Sequence, residues 1–188
     1  NFYFVMYLSG LGVVISVSAL AARAQGAGDV DEVCRYVRQG FWVATAIGVP
    51  SAVILWQIET ILLLLGQTSA NSALAEEYIH MMVWGFVPSL WMVSLRSFVS
   101  ALSRPRWVLM VTLVGVVVNA FADYALMFGN FGFPALGLAG AGVSSSFVNI
   151  MMLFMLFAYV VRDKDFRRYA ILSRLWRPDW ARFREVFR

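Results

Sequence analysis

The chain has 188 residues, 61% of them hydrophobic and 14% charged, with a mean hydropathy of +0.72. Soluble domains carry about 25% charged residues, so a soluble domain is excluded and an integral membrane protein is expected. The net charge of +4 could suit nucleic acid, but its distribution in loops and tail excludes that partner and points to lipid instead.

The chain opens at Asn1, not Met, directly in an apolar run without a basic leader. That opening reads as a fragment, not a signal peptide. Five apolar segments follow, over about 2–22, 40–65, 78–102, 107–128 and 138–161. Each is near or above the ~20 residues a spanning helix needs. The expected fold class is therefore an all-α membrane protein with five transmembrane helices over 1–161 and an amphipathic tail over 162–188. Arg23, Arg35 and Arg38 follow the first span, none follow the second, Arg104 and Arg106 follow the third, and none follow the fourth. The tail holds nine basic residues. The positive-inside rule places Asn1 outside and the tail in the cytoplasm.

In the first span Ser9, Gly12, Ser16 and Ala19 form a small-residue pattern suited to close helix packing. Cys34 is the only cysteine, which rules out an internal disulfide and leaves no Cys/His pair for zinc. Pro50 and Pro88 lie inside the second and third spans, where each frees a carbonyl and kinks its helix. The kinks serve either bending during transport or plain bundle geometry. Glu59, near the outer face, is a second candidate for a pathway residue. His80 is expected at the membrane interface, and Arg96 can snorkel toward cytoplasmic phosphate. Pro105 suits the first turn of the fourth helix. Beyond the fifth span, Pro178 opens a short stretch with Trp180, Phe183, Val186 and Phe187 on one side and Arg182, Arg184 and Arg188 on the other. This reads as a membrane-surface helix.

The fourth span carries the most informative pair. Asn119 and Asp123 are four residues apart, so on a helix they share a face. An aspartate near a helix centre costs about +3 kcal/mol on insertion scales, and such residues mark ion or substrate pathways. At 1.5 Å rise per residue, Asp123 lies about 9 Å and Asn119 about 15 Å below the outer end at Gly129. Ser145, in the Gly- and Ser-rich opening of the fifth span, lies about 12 Å below the same face. A carboxylate, an amide and a hydroxyl at one depth supply oxygen ligands for a small cation, or a network around a carboxyl that exchanges a proton. The competing reading is a hydrogen-bonded patch that only holds two helices together.

Gln25–Asp29 (QGAGD), Tyr78–Pro88 (YIHMMVWGFVP) with Arg96-Ser97-Phe98, Asn119-x-x-x-Asp123-Tyr124 running to Gly129, and Pro134–Gly142 (PALGLAGAG) together resemble the multidrug and toxic-compound extrusion (MATE) family, NorM-like branch. The resemblance covers essentially the whole chain in order and spacing. It implies a twelve-helix transporter of two six-helix lobes, in which these spans correspond to helices two to six of the amino-terminal lobe. It further implies export of small cationic amphiphilic compounds in exchange for H+ or Na+, with no cofactor, in a bacterial inner membrane. By the same resemblance Asn119, Asp123 and, with a conservative change, Ser145 form the cation or proton site, with Asp123 and Asn119 as Na+ ligands. An aspartate on the family's first helix and a second lobe have no counterpart here, so part of a transporter is expected, with residues 162–188 leading toward the missing lobe. Rival readings are a lipid-linked oligosaccharide flippase of the same superfamily and a non-transporting membrane scaffold. No catalytic constellation suggests an enzyme.

Overall fold

The computed structural model describes residues 2–102, 104–163 and 166. Among these the secondary structure is helical: α1 Phe2–Gly26, α2 Val30–Trp56, α3 Ile58–Leu64, α4 Ser69–Val83, α5 Phe86–Ala101, α6 Pro105–Phe128 and α7 Gly137–Arg162. The helices α1, α2, α6 and α7 are each long and apolar enough to cross a membrane. A fifth span is formed by α4 and α5 together, bent by 46° at their junction. The membrane-surface helix expected around Pro178 lies outside the described residues.

Local sequence explains most helix ends. The QGAGD string closes α1 and opens α2. The Asp29 N–H donates to the Ala24 carbonyl and the Gly28 N–H to that of Gln25, the paired bonds of a Schellman motif. Gly28 takes the positive φ of 75° that this ending needs. Asp29 then caps α2, its carboxylate accepting from the Glu32 N–H at 2.9 Å. This cap starts α2 ten residues ahead of the expected span at 40. The apolar run expected to continue to 65 breaks at Gln57 and resumes as α3. Pro50 is accommodated inside α2. Pro105 stands in the first turn of α6, and Gly129 ends that helix in the left-handed conformation.

The third span departs most from a simple rod. Instead of one helix over 78–102, two helices meet at Trp84-Gly85. Pro88 has no N–H to offer the Trp84 carbonyl four residues back, and its ring crowds that carbonyl.

The bundle is built around α5, which packs on α1, α2 and α7; α4 packs on α7 and α3, and α6 chiefly on α7. At the end of the bundle that holds the α1–α2 turn the core gathers Leu95, Phe98 and Val99 with Val33, Val37, Leu156 and Phe166. At the opposite end it gathers Phe86 and Leu90 with Val14, Ala44 and Leu55. Leu109, Leu113, Val116, Phe121 and Phe128 of α6 are exposed, an apolar exterior that suits hydrocarbon and has no place in water.

Candidate functional site

Two glycines set the position of α7. A methyl group on Gly140 would lie 2.6 Å from the Leu126 carbonyl oxygen, and one on Gly142 would lie 2.5 Å from that of Tyr78. Only glycine lets the α7 backbone rest directly on α6 and on α4 at these points. Residues one turn further along inherit the two directions. Ser144, four after Gly140, faces α6, while Ser145 and Ser146, three and four after Gly142, face α4.

Each of the three serines meets a different partner. The Ser144 hydroxyl, fully buried, donates to Asp123 Oδ1. The Ser145 hydroxyl lies beside that of Tyr78, which is also within electrostatic reach of Asp123. The Ser146 hydroxyl reaches the junction of α4 and α5, donating to the Met81 carbonyl at 2.6 Å and accepting from the Gly85 N–H at 3.0 Å.

Asp123 therefore does meet a hydroxyl of the next helix at the expected depth, but that hydroxyl belongs to Ser144, and Ser145 sits beside it on Tyr78. The rise per residue fixes depth; 100° of helical rotation separates adjacent serines and decides which neighbour each one meets. Asn119 is half-buried one turn from Asp123 on α6. Glu59 lies in the first turn of α3, which packs on α4, and is not brought to this cluster. Tyr78 stood in the family-like string without a role assigned, and the phase of Gly142 is the signal that could have found it.

The geometry suits exchange of a proton. Ser144 Oγ has a second acceptor, the Ala141 carbonyl at 3.1 Å. A hydroxyl donates once and accepts twice. With Asp123 ionised, Ser144 donates to it. With Asp123 protonated, the carboxyl can donate to Ser144 while the serine proton turns to Ala141. Both charge states are thus satisfied without a shift of heavy atoms. The carboxylate, the Asn119 amide oxygen and the nearby hydroxyls are equally the hard oxygen donors a small cation takes.

His80, expected at the interface, stacks on Trp56 with ring centroids 4.3 Å apart and bonds its carbonyl at 2.9 Å. It tethers α4 to α2. Arg96 is exposed, as snorkelling requires.

The MatE family model matches residues 1–125. The chain belongs to the MatE family of transporters. The chain is 40% identical over its whole length to a probable multidrug resistance protein NorM of Mesorhizobium japonicum, and 42% identical over 98% of it to another of Rhizobium meliloti. It spans 41% and 39% of those two proteins. The fold matches an inward-facing MATE-family multidrug resistance transporter of the MOP superfamily with a TM-score of 0.82 at 17% identity, covering 99% of this chain and 42% of that one. This MatE chain is accordingly a multi-pass integral membrane protein whose helices have the architecture of a solved transporter.

Proposed function

We propose that this MatE chain forms part of a secondary active exporter in the bacterial inner membrane that moves small cationic amphiphilic compounds outward in exchange for H+ or Na+. Asp123 is the ion-binding carboxylate, with Ser144, Asn119 and the Tyr78–Ser145 pair around it. The observation that carries this reading is the Asp123 carboxylate held at the margin of the α6–α7 seam by Ser144, with a hydrogen-bond arrangement that accommodates it charged or neutral. A carboxyl with these neighbours is costly in a membrane, and a structural patch has no need of both states.

A cationic compound and the coupling ion compete for the same negative charge. Binding of a proton or sodium ion at Asp123 removes that charge, weakens attraction for the compound and favours its release outside. The helices then return with the ion in place of the cargo, by rocking of the two lobes that the family likeness implies.

The test is Asp123→Asn in the full-length protein, assayed by accumulation of cationic dyes in cells lacking other exporters. The expected result is loss of export at normal membrane abundance. Wild-type export by that variant would remove Asp123 from the mechanism.

A further inference from the structure

At the bend between α4 and α5, the Gly85 N–H is the donor that an unbroken helix would direct to the Met81 carbonyl four residues back. It is turned instead toward the Met82 carbonyl at 3.1 Å and the Ser146 hydroxyl at 3.0 Å. The same hydroxyl donates to the abandoned Met81 carbonyl at 2.6 Å. One side chain of α7 has thus inserted itself into the very hydrogen bond that the bend opens. Insertion of a polar group into the ladder is a recognised cause of sharp helix kinks. Pro88 leaves the Trp84 carbonyl without its helical donor one turn further on, so the opening is widened from both sides.

The contact is close as well as polar. A methyl group on Gly85 would fall 2.7 Å from Ser146 Cα, and Ser146 is 5% exposed. The backbone of the bend therefore rests on α7 at the residue following the Ser144–Ser145 pair. Any rotation or slide of α7 that changes how Ser144 meets Asp123 also changes how Ser146 fills the opened ladder.

We propose that Ser146 is a positioning residue of the transport cycle, whose hydroxyl, wedged between Gly85 and Met81, couples the Asp123 site to the bend of the α4–α5 span. With the hydroxyl in place the span is bent and Tyr78 is presented to Ser145 and Asp123. With it withdrawn, the Gly85 N–H closes on Met81 and the span straightens, carrying Tyr78 with it. The two arrangements satisfy the same backbone groups by different partners, which is what a two-state element requires. The inference rests on the reading of Asp123 as the ion site.

The experiment uses the full-length protein in proteoliposomes, with Ser146→Ala, Ser146→Thr and Asp123→Asn compared with wild type. Exchange is measured against proton and sodium concentration. Spin labels at Asn71 and Ser100, both exposed, report the bend by their distance distribution with and without the coupling ion. Ser146→Ala is expected to raise the half-saturating ion concentration about fivefold, the effect of one lost hydrogen bond, and to abolish the ion-dependent change in distance. Ser146→Thr, which keeps the hydroxyl, should restore both ion responses. A Ser146→Ala variant with wild-type ion dependence and distance response overturns the proposal, as does one that loses only maximal rate. If Asp123→Asn exports normally, the ion-site reading itself fails; if Asp123→Asn is inactive while Ser146→Ala behaves as wild type, only the role of Ser146 is lost.

Discussion

A single methyl group at position 140 should separate the two helices that make the site. In Gly140→Ala the new Cβ lies 2.6 Å from the Leu126 carbonyl oxygen and 2.7 Å from its carbon, where ordinary contact begins at 3.4 Å. The atoms it meets are backbone and cannot rotate aside, so α7 must move off α6 by about 0.8 Å. Overpacking of this kind costs about 1–3 kcal/mol. The same shift draws Ser144, one turn along the same face, away from Asp123. Hydrogen bonds to charged groups are worth about 1.5–3 kcal/mol, so the half-saturating concentration of the coupling ion should rise at least about tenfold. The assay is ion-dependent dye exchange in proteoliposomes of the full-length protein, alongside thermal unfolding in detergent. Gly12→Ala is the control, because nothing lies within 4 Å of a methyl group there. Should Gly140→Ala match Gly12→Ala in melting temperature and ion dependence, the claim that glycine contact positions Ser144 on Asp123 is wrong.

Ser144→Ala should weaken ion dependence by a similar factor of about ten or more without the loss of stability, whereas Ser145→Ala should have the smaller effect because it meets Asp123 only through Tyr78; titration of exchange against ion concentration separates them. Asp29→Ala removes the cap of α2 and should lower stability by about 1 kcal/mol, read as a lower melting temperature with exchange kinetics unchanged. Arg104 pairs with Asp163 at 3.1 Å but is 41% exposed, so Arg104→Ala should cost about 1 kcal/mol or less, and a larger drop in thermal stability would show that the pair holds α7 more tightly than an exposed ion pair can.

Depth and apolarity were legible in the sequence, and rotation was not. Hydropathy located the spans, whereas the glycine–aspartate string carried the family likeness without being read as the Schellman ending and capped start that the structure makes of it. Asn119 and Asp123 could be placed on one face from spacing alone, and counting rise brought a serine of α7 to their level. Which serine it was depended on how α7 is turned, and that is fixed by two backbone contacts, Gly140 on Leu126 and Gly142 on Tyr78. The small residues expected to pack the first span, Ser9, Gly12, Ser16 and Ala19, lie instead on the exposed side of α1, whose contacts are made by Gly10, Val14, Val17 and Ala21; spacing gave the pattern but not the side it faces. The break at Gly85 was hidden for a related reason. Pro88 marks a kink, but the hydroxyl that fills the opened ladder comes from a residue 61 positions later, a pairing that no local pattern announces. Tyr78 was overlooked because an aromatic at helical spacing in an apolar run looks like any other core residue.

The position of Asp123 on its helix links these features to exchange. The buried residues of α6 run through Val108, Val111, Gly115 and Ala125, the seam against its neighbours. Asn119 and Asp123 are half-exposed and lie beside that seam, next to the open face that carries Phe121 and Tyr124. A carboxylate in the middle of the seam would be sealed from any ion, and one on the open face would have no hydroxyl to hold it. At the margin it can be held by Ser144 on one side and reached from the other. The same marginal placement makes its occupancy sensitive to small movements of α7, because about 1 Å of displacement is enough to break a hydrogen bond but not to unpack a helix. On the reading proposed above, one such movement would change three contacts of the consecutive serines: at Asp123, at Tyr78 and at the bend. The proposed exporter, whose ion would bind from one side of the membrane and leave from the other, would need that kind of coupling, and a static hydrogen-bonded patch would not.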